Sequence, residues 1–337
     1  MSVEVLITIP FPEPLITRLS NVSPKINVTA VSVQKASEIP AELWARTEIL
    51  YTGNILPVPE QVPALRWIQF HFAGIDRYLE EPIIKKPDLQ VTTLSGAAAP
   101  QMAEHVLGML LALTRKLPAI ITHQKKSEWP KDRFDRYVPF ELNGKTCGIV
   151  GYGSVGRQVA RLLQPFGMKV LAIKHNAMNP LDEGFIPEGQ GDPQGDLILR
   201  LYPPQALKTM LKECNFVIVT APLTKETVGL INASALAALI PGAYLVDVSR
   251  GSIVKINDVI DALKSGQLAG AALDVFPEEP LPQSSPLWQT PGLIISPHIS
   301  GGSALYNERA AQLFSENLNR YLADLPLYNL FDPNRGY

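Results

Sequence analysis

The stretch that most restricts the fold is residues 146–166, where an apolar strand, a glycine-spaced loop and an amphipathic helix follow without a break. Thr146-Cys147-Gly148-Ile149-Val150 runs into Gly151-Tyr152-Gly153-Ser154-Val155-Gly156, and a helical pattern occupies 157–166. Glycines at this spacing between a strand and a helix fit a dinucleotide site. The first turns the chain, the second lets backbone approach a pyrophosphate, and the third lets helix and strand pack closely. The helix N-terminus then faces the phosphates, with Arg157 nearby as a further candidate contact.

The rest of the chain agrees with a parallel α/β architecture. Strand-like runs at 3–9, 27–33, 48–52, 65–70 and 89–94 are separated by helical lengths and by prolines that lie between strands. After the fourth run comes His71-Phe72-Ala73-Gly74-Ile75-Asp76. Gly74 there permits a tight turn whose N–H groups could face a carboxylate, or the segment is an ordinary strand-to-helix turn. Pro100 opens a long helix at 101–116 and Pro118 closes it. Residues 123–139 are polar and aromatic and read as a surface connection. Beyond the glycine loop, strands are expected at 168–173, 216–220, 243–248, 269–273 and 293–296, and helices at 205–212, 257–265 and 303–322. Residues 179–202 are rich in Gly, Pro and Asp and read as a surface excursion without a motif.

With 337 residues, two domains are the natural expectation. A net charge of −2 gives no footprint for nucleic acid or a membrane surface. No apolar run reaches the roughly 18 residues of a membrane span. Met1-Ser2-Val3-Glu4-Val5 lacks the basic start of a signal peptide. Cys147 and Cys214 sit in apolar contexts, which favours buried thiols over a disulfide or a metal site. The chain reads as cytoplasmic.

Three charged or titratable residues follow successive apolar runs: Arg250 after 243–248, Asp274 after 269–273, and His298 after 293–296. Open parallel sheets bind ligands at the carboxyl ends of their strands. Arg250 offers a fork of donors for a carboxylate and a carbonyl oxygen. His298 can give a proton to that oxygen and take it back in reverse. Glu279 would orient the imidazole. His105 and Glu104 fall mid-helix, where packing or a dimer contact is the expected role. About 20 residues beyond the glycine loop an acidic side chain usually binds the ribose 2′-hydroxyl of NAD. This chain has Lys174-His175-Asn176 instead. A positive pair suits the 2′-phosphate of NADP; alternatively other groups hold the ribose, or Lys174 faces water.

Taken together, Ala103-Glu104-His105, the glycine loop, Ala221-Pro222-Leu223-Thr224, Asp247-Val248-Ser249-Arg250-Gly251, Ala272-Leu273-Asp274-Val275-Phe276 with Glu279-Pro280, and Ser296-Pro297-His298 resemble the D-isomer-specific 2-hydroxyacid dehydrogenase family. The resemblance covers about residues 64–322. It implies two doubly wound parallel-sheet domains: a flavodoxin-like substrate and catalytic domain (1–100 plus 300–337), and a Rossmann-like NAD(P) domain (101–299) inserted into it. It implies catalysis by Arg250, Glu279 and His298. Cofactor contacts would come from Gly151, Gly153, Ser154, Val155, Gly156, Lys174, His175, Ala221, Pro222, Thr227, Val248, Ser249, Asp274 and Gly301. Asp274 would hold the nicotinamide amide, and Ala73 and Gly74 would join Arg250 at the substrate. The implied activity is hydride transfer between NAD or NADP and a small 2-oxo or D-2-hydroxy acid, glyoxylate or hydroxypyruvate among them, in a homodimer without a metal. A cofactor-sensing corepressor on the same fold, or a dehydrogenase of another small anion such as formate or phosphite, remains open.

Overall fold

The strands form two separate, wholly parallel sheets, in a computed structural model that describes residues 2–333 and 335–337. The chain divides into two units: residues 1–98, 183–187 and 303–337, and residues 99–182 and 188–302.

In the first unit β1 (Val3–Ile7), α1 (Glu13–Ser20), β2 (Ile26–Ala30), α2 (Ala41–Arg46), β3 (Ile49–Thr52), β4 (Trp67–Phe70) and β5 (Gln90–Thr92) give the strand order β2-β1-β3-β4-β5. Central β3 and β4 are buried along their whole length, and edge strand β2 is largely not. Strands covered on both faces need continuous apolar sequence, which explains Ile49-Leu50-Tyr51. Alternation then sorts the side chains. Val5 and Ile7 enter one core with Leu15 and Leu19 of α1, while Leu6 joins Leu50, Ile68 and Trp44 on the other face.

The second unit begins with α3 (Ala99–Thr114), α4 (Leu117–Lys125) and α5 (Arg133–Arg136). Pro118 does not close α3; it stands in the first turn of α4, where a missing N–H costs nothing. Lys116, at φ +57, makes the break between the two helices. There follow β6 (Thr146–Val150), α6 (Ser154–Leu163), β7 (Lys169–Ile173), β8 (Arg200–Tyr202), α7 (Leu207–Leu211), β9 (Phe216–Val219), α8 (Ala233–Leu236), β10 (Ala243–Asp247), α9 (Ile256–Ser265), β11 (Leu268–Leu273) and β12 (Leu293–Ile295). Their order, β12-β11-β10-β9-β6-β7-β8, reverses direction between β6 and β9. The crevice at such a switch point is where a dinucleotide binds. The last helix, α10 (Tyr306–Leu322), lies in the first unit and buries Ala310, Leu313, Phe314 and Leu318 there.

Residues 179–202 are not simply a surface excursion. Their last three form β8, paired with β7, whose exposed edge position explains its weak apolar signal. Asp192 is buried. Its carboxylate accepts hydrogen bonds from Tyr152 Oη (2.6 Å), Asp196 N (2.9 Å) and Leu197 N (3.1 Å). Phe185 is buried in the first unit, with its N–H on Asn329 Oδ1 at 3.1 Å.

His71 directly follows β4, inside a nest of rings. Its Nδ1 shares a hydrogen bond of 2.8 Å with Tyr51 Oη, and Tyr306 Oη donates to its carbonyl at 2.8 Å. Burial lowers its pKa to about 4. The unfolded chain therefore binds a proton that the folded chain refuses. Stability is intact above the ordinary value near 6.5 and falls as pH drops from there toward 4, by about 3 kcal/mol for a shift of this size. We expect the thermal midpoint to fall between about pH 7 and pH 4.5, and His71→Gln to remove part of that acid sensitivity; equal slopes in both proteins would exclude His71 as the cause.

Candidate active site

The carboxyl ends of β6, β9, β10, β11 and β12 carry nearly all the residues singled out in the sequence. A Cβ on Gly151, which is at φ +104, would lie only 2.6 Å from the Ala221 backbone. A Cβ on Gly156 would overlap the Gly151 carbonyl and lie 2.9 Å from Ile149 Cγ2. At Gly153, by contrast, a Cβ would meet nothing within 4 Å. The second glycine thus faces open space at the head of α6, whose N-cap makes no side-chain hydrogen bond. The first turn of α6, beginning at Ser154, points its backbone N–H groups toward this open end, the arrangement that receives a phosphate. The cradle fits a dinucleotide.

The other contacts expected around it take definite places. Ala221 is buried and Pro222 exposed at the end of β9. Thr227 Oγ1 donates to Pro222 O at 2.7 Å and accepts from Thr224 N at 2.7 Å, so its hydroxyl braces this loop. Val248 and Ser249 are buried beyond β10. Gly301 has no side-chain neighbour to displace, and its carbonyl accepts from Gln101 Nε2 at 2.8 Å.

Arg157 does not face the phosphate cradle. It is 1% exposed and points across α6 to the insertion. Its Nη1 donates to Asp192 O at 2.5 Å and Nη2 to Pro180 O at 2.6 Å, while Nε lies 3.4 Å from Asp182 Oδ2. Lys174 serves the same segment, its Nζ bonding Asn179 O and Leu181 O at 2.7 Å each. His175 is exposed, near enough to Glu226 to help hold that carboxyl below its ordinary range, after the Thr224 hydroxyl.

Arg250 lies in the turn after β10, with Nη1 on Ser249 O at 2.8 Å. A side chain on the next residue, Gly251, would overlap the Phe276 carbonyl. Glycine thereby lets this turn lie directly against the one that follows β11. There, Glu279 Oε1 accepts the Phe276 N–H at 2.9 Å, and Oε2 lies 2.7 Å from His298 Nδ1. Glu279 thus fixes the imidazole through one nitrogen and leaves Nε2 for a substrate. His298 itself is at φ +53, uncommon for a residue with a side chain.

Asp274, 1% exposed, organises the strand ends. Its Oδ1 accepts from Ser296 Oγ (2.6 Å) and Ile299 N (3.0 Å), and its Oδ2 from Ser300 N (3.0 Å). His105 Nε2 meets Ser296 Oγ at 3.2 Å and stands 3.9 Å from Asp274 Oδ1. The mid-helix histidine is therefore a support for this loop. Sequence reasoning missed the roles of Ser296, Tyr152 and Asp192; only the serine carried a signal, as part of Ser296-Pro297-His298. Ala73 and Gly74 stand in the turn after β4, in the first unit.

The model of the family described as D-isomer specific 2-hydroxyacid dehydrogenase, NAD binding domain, matches residues 107–300. A glyoxylate reductase of Thermofilum pendens is 32% identical over 262 residues, 77% of this chain and 73% of that protein. One of Thermococcus litoralis is 29% identical over 299 residues, 88% of this chain and 84% of that one. Among solved structures, a D-isomer specific 2-hydroxyacid dehydrogenase family protein of Aeromonas salmonicida is similar with TM-score 0.78 and 30% identity, covering 99% of this chain and 100% of the other. Another, from Xanthobacter autotrophicus in complex with NADPH and MES, has TM-score 0.80 and 27% identity over 100% of both chains. The strand-end site and the glycine cradle are those of a dehydrogenase that uses a nicotinamide dinucleotide. The chain belongs to the D-isomer specific 2-hydroxyacid dehydrogenase family.

The glycines make separable predictions. Gly251→Ala should cost about 1–3 kcal/mol or more in denaturant unfolding, because backbone must move. Gly153→Ala should leave the free energy of unfolding within about 0.5 kcal/mol and raise the dissociation constant for NAD(P)H. Unchanged cofactor affinity in the second variant would count against the cradle.

Proposed function

We propose that this protein is an NAD(P)H-dependent reductase of small 2-oxo acids, glyoxylate or hydroxypyruvate being the favoured substrates. It yields the D-hydroxy acid where a stereocentre forms. The observation that carries this reading is the 2.7 Å pair of His298 Nδ1 and Glu279 Oε2 on the same strand ends as Arg250 and the glycine cradle. Gly151, Gly153 and the head of α6 would hold the pyrophosphate, and Asp274 the nicotinamide amide through the acceptor capacity left on Oδ2. When bound, the reduced nicotinamide supplies the hydride that reaches the carbonyl carbon. Arg250 grips the carboxylate and the carbonyl oxygen. His298 Nε2 gives its proton to that oxygen, so that a hydroxyl forms, and Glu279 holds the ring in place while charge leaves it. Residues 1–100 and 300–337, with Ala73 and Gly74, form the substrate half in this reading, and 101–299 the cofactor half. A cytoplasmic homodimer accords with two buried free cysteines and with exposed apolar side chains at Leu117, Ile121, Trp129, Phe134 and Val138.

The test is nicotinamide absorbance with a panel of 2-oxo acids. Turnover of glyoxylate or hydroxypyruvate is expected, and His298→Asn should lower kcat by about 10²–10⁴ while cofactor affinity stays nearly constant. Glu279→Gln should cost less. No turnover across the panel, with intact cofactor binding, would overturn the reading.

For the cofactor, NADPH is favoured over NADH. Two basic residues, Lys174 and His175, stand at the end of β7, and Lys174 Nζ is held there by Asn179 O and Leu181 O. The related Xanthobacter structure holds NADPH. Dissociation constants at low salt should differ by roughly tenfold in favour of NADPH, and added salt should shrink the ratio. NADH binding as tightly as NADPH would leave Lys174 as a clamp on the insertion alone.

A further inference from the structure

We propose that Asp247 is an uncharged, protonated acid beneath the Arg250 turn, and that losing its proton weakens the hold on an anionic substrate. It is a positioning residue. The proposal rests on the reading of Arg250 as the carboxylate clamp.

Asp247 is the last residue of β10 and is 0% exposed. Its Oδ1 accepts two hydrogen bonds from Ser249, from N at 2.9 Å and from Oγ at 2.5 Å. Its Oδ2 is buried and has no hydrogen-bond partner among the described residues. An ionised carboxylate with one bare oxygen shut off from bulk solvent is strongly disfavoured, and a proton on that oxygen lowers the cost.

The neighbours leave few donors for it. On the β9 side stand apolar Val219 and neutral Thr220, and on the β11 side Leu273 pairs with Asp247 and leads into Asp274. The nearby loop donors, Ser296 Oγ and the N–H groups of Ile299 and Ser300, all go to Asp274. From α3, His105 reaches Ser296 and Asp274. Arg250 is the cation of the turn itself. Burial above all, with Asp274 adding, pushes Asp247 up to about 7; the Ser249 hydrogen bonds and Arg250 pull the other way without prevailing.

The link to substrate is short. Ser249, held by Asp247, presents its carbonyl to Arg250 Nη1 at 2.8 Å. A charge appearing on Asp247 would therefore offset the field of the guanidinium that receives the substrate carboxylate. Below about pH 7 the acid is neutral and the clamp acts at full strength; above it the clamp weakens.

The measurement is the inhibition constant of oxamate, a non-reacting analogue of a 2-oxo acid, at saturating cofactor from about pH 5.5 to about 9. The wild-type constant should rise about five- to tenfold through an inflection near 7. Asp247→Asn, similar in shape but unable to ionise, should hold the low-pH value further into the alkaline range. Ser249→Ala removes a donor to the charged form and should move the inflection to higher pH. Contributions of His298 are common to all three proteins, so the differences isolate Asp247. Superimposable profiles for wild type and Asp247→Asn, or a Ser249→Ala inflection at lower pH, would overturn the proposal. Failure of the clamp reading shows differently: Arg250→Lys would then leave oxamate binding unchanged at every pH.

Discussion

Three hydrogen bonds onto one buried carboxylate hold the chemical end of the second sheet in shape. After β12 the chain must turn sharply, and His298 takes a left-handed backbone conformation to do so. The N–H groups just beyond it, on Ile299 and Ser300, would lack acceptors if Asp274 did not receive them. From there the order spreads outward. His298 meets Glu279, Glu279 takes the Phe276 N–H, and the Phe276 backbone lies against Gly251 beside Arg250. Each residue of the site is thus placed by a neighbour whose own position is fixed.

The glycine loop is supported from the opposite side of its helix. Along α6, Arg157, Gln158 and Arg161 reach the insertion, with Arg161 Nε on Gly191 O at 2.6 Å and Gln158 Oε1 accepting the Gly191 N–H at 2.6 Å. Tyr152, between the first two glycines, donates to Asp192, and the Arg157 guanidinium lies 4.7 Å over its ring. Burial, more than its partner Asp192, raises the Tyr152 hydroxyl well above the ordinary range, so it stays a donor. The insertion is therefore part of what shapes the cradle.

The doubly wound sheets were legible because central strands covered on both faces demand apolar runs, and β9 is apolar throughout while β3 and β10 are so up to their last residues. Arg250, Glu279 and His298 were legible because they follow such runs, or follow a motif that follows one. Edge strand β8 was not, since half-exposed Arg200-Leu201-Tyr202 carries no pattern of its own. Arg157 misled for a physical reason: position in the first turn of a helix says nothing about which side of the helix a long side chain takes. Lys174 was read by its charge, yet its hydrogen bonds go to backbone carbonyls five and seven residues on. Pairings of that kind depend on loop paths that no periodicity encodes.

The make-up of the first unit bears on the order in which the protein can be completed during synthesis. Its core needs β1, β3 and β4, but also Phe185 and the α10 residues Ala310, Ala311, Leu313 and Phe314. Chains emerge from the ribosome amino end first, and domains fold as units. The second unit has all its residues once position 302 is out, whereas the first, though it begins the chain, still lacks α10. Until then the buried faces of Tyr51, Trp67 and Leu19 have no cover from Phe314 and Leu318. The half of the protein made first is the half finished last, and during that interval its apolar sheet face is the surface a chaperone would have to shield.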